Sequence, residues 1–96
     1  MMNVIEKRLN DINEVINLYH SFDKYKEHSR QELFHYLLQP FNYNQYKIFY
    51  KNNKVSAFVC WCFLDEEKEE HFKKTSIVKN WRCGDRVWLV DLVSLG

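Results

Sequence analysis

The sequence of 96 residues lacks several features that point directly to a class of protein. Its formal net charge is only +1, so no basic excess predicts binding to nucleic acid. It contains no run of 18 apolar residues, and we therefore expect no membrane-spanning helix. Residues 1–8 lack the apolar core of a secretory signal, which predicts a cytoplasmic protein.

Cysteine is scarce, and the three cysteines lack the spacing of a metal site. Cys60 and Cys62 are two positions apart, and Cys83 stands alone. On a strand the first two share one face and cannot form an unstrained disulfide. A zinc site needs a fourth ligand and different spacing. We therefore expect reduced, structural thiols and no bound metal.

The sequence does contain enough apolar residues for one small core, since 46% of it is hydrophobic. This predicts a single domain over residues 1–96. Apolar residues recur at helical spacing over residues 5–19, which predicts an amphipathic first helix. Ser29 and Glu32 have the spacing of a capping box, which predicts a second helix that ends at Pro40.

The second half of the chain is expected to form a sheet. Residues 46–50 and 55–63 predict a hairpin around Asn52-Asn53, because asparagine tolerates a positive φ. The charged residues 65–74 predict a solvated surface helix anchored by Phe72, and a last strand covers residues 87–93. The order α, α, β, β, α, β predicts an α+β fold with an antiparallel sheet.

The most informative segment is Gly84-Asp85-Arg86-Val87-Trp88-Leu89-Val90-Asp91, in which a glycine turn leads into a strand that carries a carboxylate. Asp91 interrupts an apolar run, and a buried carboxylate without a partner is costly. Two interpretations are open: a structural ion pair or cap, or a group that orients a base. Arg86 is expected to pair with Asp85, and Trp88 to be a core aromatic.

Four segments of the chain are informative when taken in order. They are Asn44-Gln45-Tyr46, Ala57-Phe58-Val59-Cys60-Trp61, Trp81, and the segment that ends at Asp91. Over about residues 15–96 they resemble the toxin-activating lysine acyltransferases, the hemolysin-activating C proteins of RTX toxin operons. The resemblance implies a GNAT-like fold, with N-terminal helices packed on a mainly antiparallel sheet. Family members are longer, so the C-terminal half of that fold is expected to be missing here.

The function implied by the resemblance is fatty acylation of a protein. Family members take the acyl chain from acyl-acyl carrier protein and place it on internal lysines of an RTX protoxin. They act as homodimers in the cytoplasm, and no metal or nucleotide cofactor is implied. The alternative is a non-catalytic remnant or partner module of the family. The shorter chain favours that alternative.

The resemblance also implies a catalytic histidine and aspartate. The histidine takes a proton from the lysine ammonium, and the carboxylate fixes the histidine tautomer. Asp91 matches the family's aspartate. The family's Ser-Pro-Leu-His-Arg step has no counterpart here, so the base is His28, which we choose, or His20, or no histidine at all. Lys24, Lys26 and Arg30 either steer an acidic carrier protein or are simply solvated.

Overall fold

The computed structural model describes residues 3–95. Its elements are α1 (Val4–His20), a 3-10 turn (Asp23–Tyr25), α2 (Arg30–Asn42), β1 (Tyr46–Lys51), β2 (Lys54–Leu64), α3 (Glu66–Thr75) and β3 (Arg86–Ser94). The strands form one antiparallel sheet in the order β1-β2-β3. This confirms the α+β prediction, while the likeness to GNAT enzymes stays a prediction. Within the described residues, none of the helices has the length and apolar character of a membrane span.

Local side chains decide where the helices begin. The Asn3 side chain accepts a hydrogen bond from the first turn of α1 at 2.8 Å. Ser29 and Glu32 form the predicted capping box at the start of α2. Asp65 caps α3 by accepting from the Lys68 amide at 2.7 Å. Each cap satisfies an amide that has no partner inside the helix.

The prediction that Pro40 ends the second helix is wrong, because α2 continues to Asn42. A proline removes one backbone donor, and in the last turn few hydrogen bonds remain to be disrupted. The prediction of the hairpin is confirmed. Asn52 and Asn53 connect β1 to β2 with φ values of 53° and 65°, as a two-residue turn between twisted strands requires.

The core lies between the sheet and the first two helices. Alternate residues of β2 are buried, since side chains of a strand point to opposite faces. The fully buried members of this set are Phe58, Cys60, Cys62 and Leu64. They pack with the apolar faces of α1 and α2. Cys60 and Cys62 therefore share one face as predicted, and both are free thiols.

A buried glutamine joins three segments that are distant in the sequence. Gln45 is 2% exposed. Its side-chain Nε2 donates to the carbonyl oxygen of Trp61 at 3.0 Å and to that of Trp81 at 2.9 Å. Its Oε1 accepts from Nε of Arg82 at 2.8 Å. Because buried polar groups must be paired, Gln45 holds these three segments together in the fold.

Helix α3 is not the purely solvated segment that its charges predicted, because Glu69 is only 8% exposed. Its carboxylate accepts hydrogen bonds from Trp88 Nε1 and from Arg86 Nη1, each at 2.7 Å. Arg86 therefore pairs with Glu69, and the expected pairing with Asp85 is wrong. These two hydrogen bonds lower the pKa of Glu69. The same two hydrogen bonds connect the start of β3 to α3.

Replacing Glu69 with glutamine should remove a pH-dependent part of the stability. A carboxylate with a lowered folded pKa stabilises the fold above its unfolded pKa, and this stabilisation is lost as the pH falls through the folded pKa. The wild type should be the more stable protein at neutral pH. The difference should begin to shrink near the ordinary glutamate pKa of about 4.3 and vanish only below the lowered folded pKa, where a protonated glutamate resembles glutamine. Urea midpoints measured across this range test the expectation, and a gap that stays constant would contradict it.

Candidate functional site

Strand β3 contains an extra residue directly before Asp91. Cys60 pairs with Asp91 and Trp61 pairs with Leu89, so Val90 has no partner on β2. Such a β-bulge changes the direction of the side chains beside it. Residues paired across strands share a face, and Asp91 therefore lies on the helix-covered side with the buried Cys60. The bulge therefore sets the face of the sheet on which the Asp91 carboxylate lies.

Three donors hold the Asp91 carboxylate. The hydroxyl of Tyr19 donates to Oδ2 at 2.7 Å, and that of Tyr36 donates to the same oxygen at 3.2 Å. The Leu92 amide donates to Oδ1 at 3.0 Å. Burial and, after it, the negative charge of Asp91 raise the pKa of both phenols, so both hydroxyls keep their protons. The partners of Asp91 are therefore two phenols and an amide.

A cavity of about 440 Å³ opens beside Asp91. We call it the reaction cavity, and its volume lies in the usual range of small-molecule sites, roughly 300–1,000 Å³. It lies where the connection between α1 and α2 meets β3. Its lining includes the side chains of Tyr19, Tyr25, His28, Glu32, Tyr36 and Asp91. The structure thus brings both predicted site residues, His28 and Asp91, to one cavity.

His28 is held by the start of α2. It directly precedes the cap residue Ser29, and its Nδ1 lies 3.4 Å from Oε2 of Glu32. The other oxygen of Glu32 accepts from the Ser29 amide at 3.3 Å. Hydrogen bonds from Ser29 and then from His28 lower the pKa of Glu32, which keeps it charged. The carboxylate in contact with the His28 ring is therefore Glu32, while Asp91 lies on the sheet side of the cavity.

The second candidate base, His20, is not among the residues that line the reaction cavity. Its Nε2 is 2.8 Å from the carbonyl oxygen of His28. A carbonyl can only accept, so Nε2 carries the proton and His20 braces the His28 backbone. Of the three basic residues considered above, Lys26 and Arg30 bind other side chains. Lys24 lines the cavity and lies over the ring of a neighbouring tyrosine.

Cys60 lies across from Asp91, yet it is a poor nucleophile. It is fully buried, and burial, reinforced by the charge of Asp91, raises its pKa to about 12. Only the thiolate attacks efficiently, so an acyl-cysteine intermediate at this position is disfavoured near neutral pH. Within residues 3–95, no group of His, Cys, Asp or Glu side chains is placed to hold a metal ion.

Sequence reasoning missed Tyr19 and Tyr36 as partners of Asp91. Each carries a usable signal, because Tyr19 continues the apolar face of α1 and Tyr36 follows Leu33 by three positions on α2. Helical spacing therefore turns both toward the core side. The spacing does not reveal which group each hydroxyl meets.

Comparisons with known proteins match nearly the whole chain. The model of the RTX toxin acyltransferase family matches residues 6–94, a span that includes His28 and Asp91. The chain is also 23% identical over 94 residues to the uncharacterized protein sll0720 of Synechocystis sp.. That alignment covers 93% of this chain and 64% of the relative. The chain thus spans less than two thirds of the length of this relative.

Proposed function

Since the chain belongs to the RTX toxin acyltransferase family, we propose that it transfers a fatty acyl group from acyl-acyl carrier protein to internal lysines of an RTX protoxin. The observation that carries the proposal is the meeting of His28 and Asp91 at one cavity of about 440 Å³. A cavity of this volume accommodates a lysine side chain together with the thioester end of a donor.

His28 is the base in this proposal. Its imidazole accepts a proton from the lysine ammonium, whose ordinary pKa is about 10.4. The neutral amine nitrogen then attacks the carbonyl carbon of the thioester. An amide C–N bond forms as the C–S bond breaks, and the departing sulfur takes up the proton from the imidazolium. The attacking nitrogen loses a second proton when the amide forms, and this proton is released to water. The products are the acylated lysine and the free thiol of the carrier protein.

Two carboxylates support this reaction from different sides of the cavity. Glu32 contacts Nδ1 of His28, which orients the ring and leaves Nε2 for proton transfer. Asp91 is fixed by two phenol hydroxyls. Its negative charge attracts the lysine ammonium and stabilises the imidazolium that forms. In this proposal Asp91 stabilises charge, while the role of fixing the histidine tautomer, which the resemblance implied for Asp91, falls to Glu32.

A second candidate function, binding of a partner without catalysis, is favoured by the uncovered face of the sheet. Among the described residues, β3 has a neighbouring strand on one side only. Its side chains Val87, Leu89 and Leu92 are 61%, 56% and 59% exposed. An open strand edge beside exposed apolar side chains promotes association with another chain. A second copy of this chain or a longer family member would cover this surface.

Replacing His28 with glutamine should reduce acyl transfer by roughly 100-fold or more, the usual contribution of a general base. His35→Gln is the matched control, because His35 is exposed on α2 and does not line the reaction cavity. Each variant is co-expressed with an RTX protoxin in a bacterial cytoplasm, and peptide mass spectrometry locates fatty-acyl groups on lysines.

The outcomes separate the two candidate functions. Acylated lysines with the wild type and with His35→Gln, but not with His28→Gln, support catalysis by this chain. Equal acylation by His28→Gln removes His28 as the base. No acylation by the wild type, beside an active longer family member, overturns the catalytic proposal and favours the binding function.

A further inference from the structure

A second cavity of about 280 Å³ adjoins the reaction cavity, and we infer that it receives the hydrocarbon tail of the acyl donor. We call it the tail cavity. It lies between α2, the irregular segment that follows α3, and the bulge of β3. Its apolar walls come from Ile77, Val78, Trp81 and Val90, with the ring of Tyr36. This assignment of the donor's tail depends on the proposed acyl transfer.

The two cavities differ in the polarity of their lining, and an acyl thioester has one polar end and one apolar end. The reaction cavity contains charged or titratable groups, among them Lys24, His28 and Asp91. The lining of the tail cavity contains no carboxylate, amine, guanidinium or imidazole. Gln39 and Ser76, which are polar but uncharged, are exposed at the surface, and the hydroxyl of Tyr36 donates to Asp91. One cavity therefore suits the reacting polar end of the donor, and the other suits an apolar chain.

The two cavities are adjacent, because two residues line both. Tyr36 and Val90 line both. Val90 is the extra residue of the β-bulge, and Tyr36 donates its hydroxyl to Asp91 at 3.2 Å. A donor with its carbonyl carbon near Asp91 would therefore pass its first methylenes over Tyr36 and Val90. The rest of its chain would then point toward Trp81.

An aliphatic chain fits the tail cavity better than the other end of the donor does. The pantetheine arm of a carrier protein contains amides, which need hydrogen-bond partners when they leave water. The side chains that line the tail cavity offer few such partners: the exposed Gln39 and Ser76, the indole of Trp81, and the hydroxyl of Tyr36, which already donates to Asp91. A lysine-containing substrate segment would bring its own backbone amides and meet the same difficulty. The lining thus selects the hydrocarbon part of the donor.

If the tail lies here, the walls of the cavity set the preferred chain length. Ile77 is 61% exposed, and it lies in an irregular segment where a larger side chain can be tolerated. Ile77→Trp should narrow the tail cavity and lower the ratio of hexadecanoyl to octanoyl transfer by about tenfold or more, the scale on which apolar pockets discriminate chain length. Ile5→Trp is the matched control, since Ile5 is 70% exposed on α1 and lines neither cavity.

The experiment supplies an equimolar mixture of octanoyl, dodecanoyl and hexadecanoyl carrier protein and measures the acyl chains on the protoxin by mass spectrometry. Val78→Ala, which enlarges the same cavity, should shift the product toward the longer chains. The tail site is supported if the ratio of hexadecanoyl to octanoyl transfer falls in Ile77→Trp and does not fall in the tryptophan control. Active variants with an unchanged chain distribution overturn it.

A binding measurement keeps the tail site testable if the protein is not an enzyme. Dodecanoyl-pantetheine and pantetheine are titrated against the wild type by calorimetry. The tail site requires tighter binding of the acylated probe, and about tenfold weaker binding of that probe by Ile77→Trp. Equal affinities of the wild type for the two probes would overturn the tail site. An absence of acyl transfer alone would count only against the proposed function.

Discussion

Replacing Asp91 with asparagine should lower the rate of acyl transfer by about 100-fold or more without unfolding the protein. Asparagine keeps the shape and one oxygen, which can accept from the hydroxyls of Tyr19 and Tyr36 as Oδ2 does now. Its NH2 group replaces the oxygen that accepts from the exposed Leu92 amide, which water can satisfy instead. What disappears is the negative charge, which in the proposed reaction attracts the lysine ammonium and stabilises the imidazolium. The measurement is kcat/KM for acylation of a protoxin, with circular dichroism to verify the fold.

Asp85→Asn is the control for this expectation. It makes the same chemical change on an exposed residue in the turn that precedes β3, and it should transfer acyl groups at the wild-type rate. A folded Asp91→Asn protein with a kcat/KM within about threefold of the wild type would refute the proposed role, because such a small change corresponds to less than 1 kcal/mol of transition-state stabilisation.

Elements specified by neighbouring residues could be predicted from the sequence. The capping box at Ser29 and Glu32 depends on a spacing of three residues, and the hairpin depends on two adjacent asparagines. The same holds for the periodic apolar face of α1. In each case the deciding contact lies within one turn of helix or one tight turn, so the local pattern carries the information.

The features that depend on contacts between distant residues could not be predicted in this way. The bulge at Val90 is defined only by its pairing with β2. The hydrogen bond from Tyr19 to Asp91 joins residues 72 positions apart. Glu69 looks solvated in sequence because charged residues surround it, and it becomes buried only when α3 packs against Trp88. Tertiary packing decides each of these, and a single sequence does not display it.

Gly84, the first residue of the segment that leads to Asp91, should be among the least replaceable residues of the fold. A Cβ at this position would overlap the carbonyl of Leu64 and the amide of Asp65. Both are backbone groups, so no side chain can rotate to make room. They lie where β2 ends and α3 is capped, and relieving the overlap must displace that junction. Gly84→Ala should therefore lower the free energy of unfolding by about 3 kcal/mol, the upper part of the range for overpacking.

Urea unfolding followed by tryptophan fluorescence measures this loss directly. The control is Asp85→Ala, which adds no atom near that backbone and should stay within about 0.5 kcal/mol of the wild type, as exposed substitutions usually do. If Gly84→Ala unfolds at the wild-type urea midpoint, the chain passes β2 less closely than described. If only Gly84→Ala is destabilised, the glycine is required by close backbone contact. In that case its place in the sequence segment reflects the fold rather than the reaction.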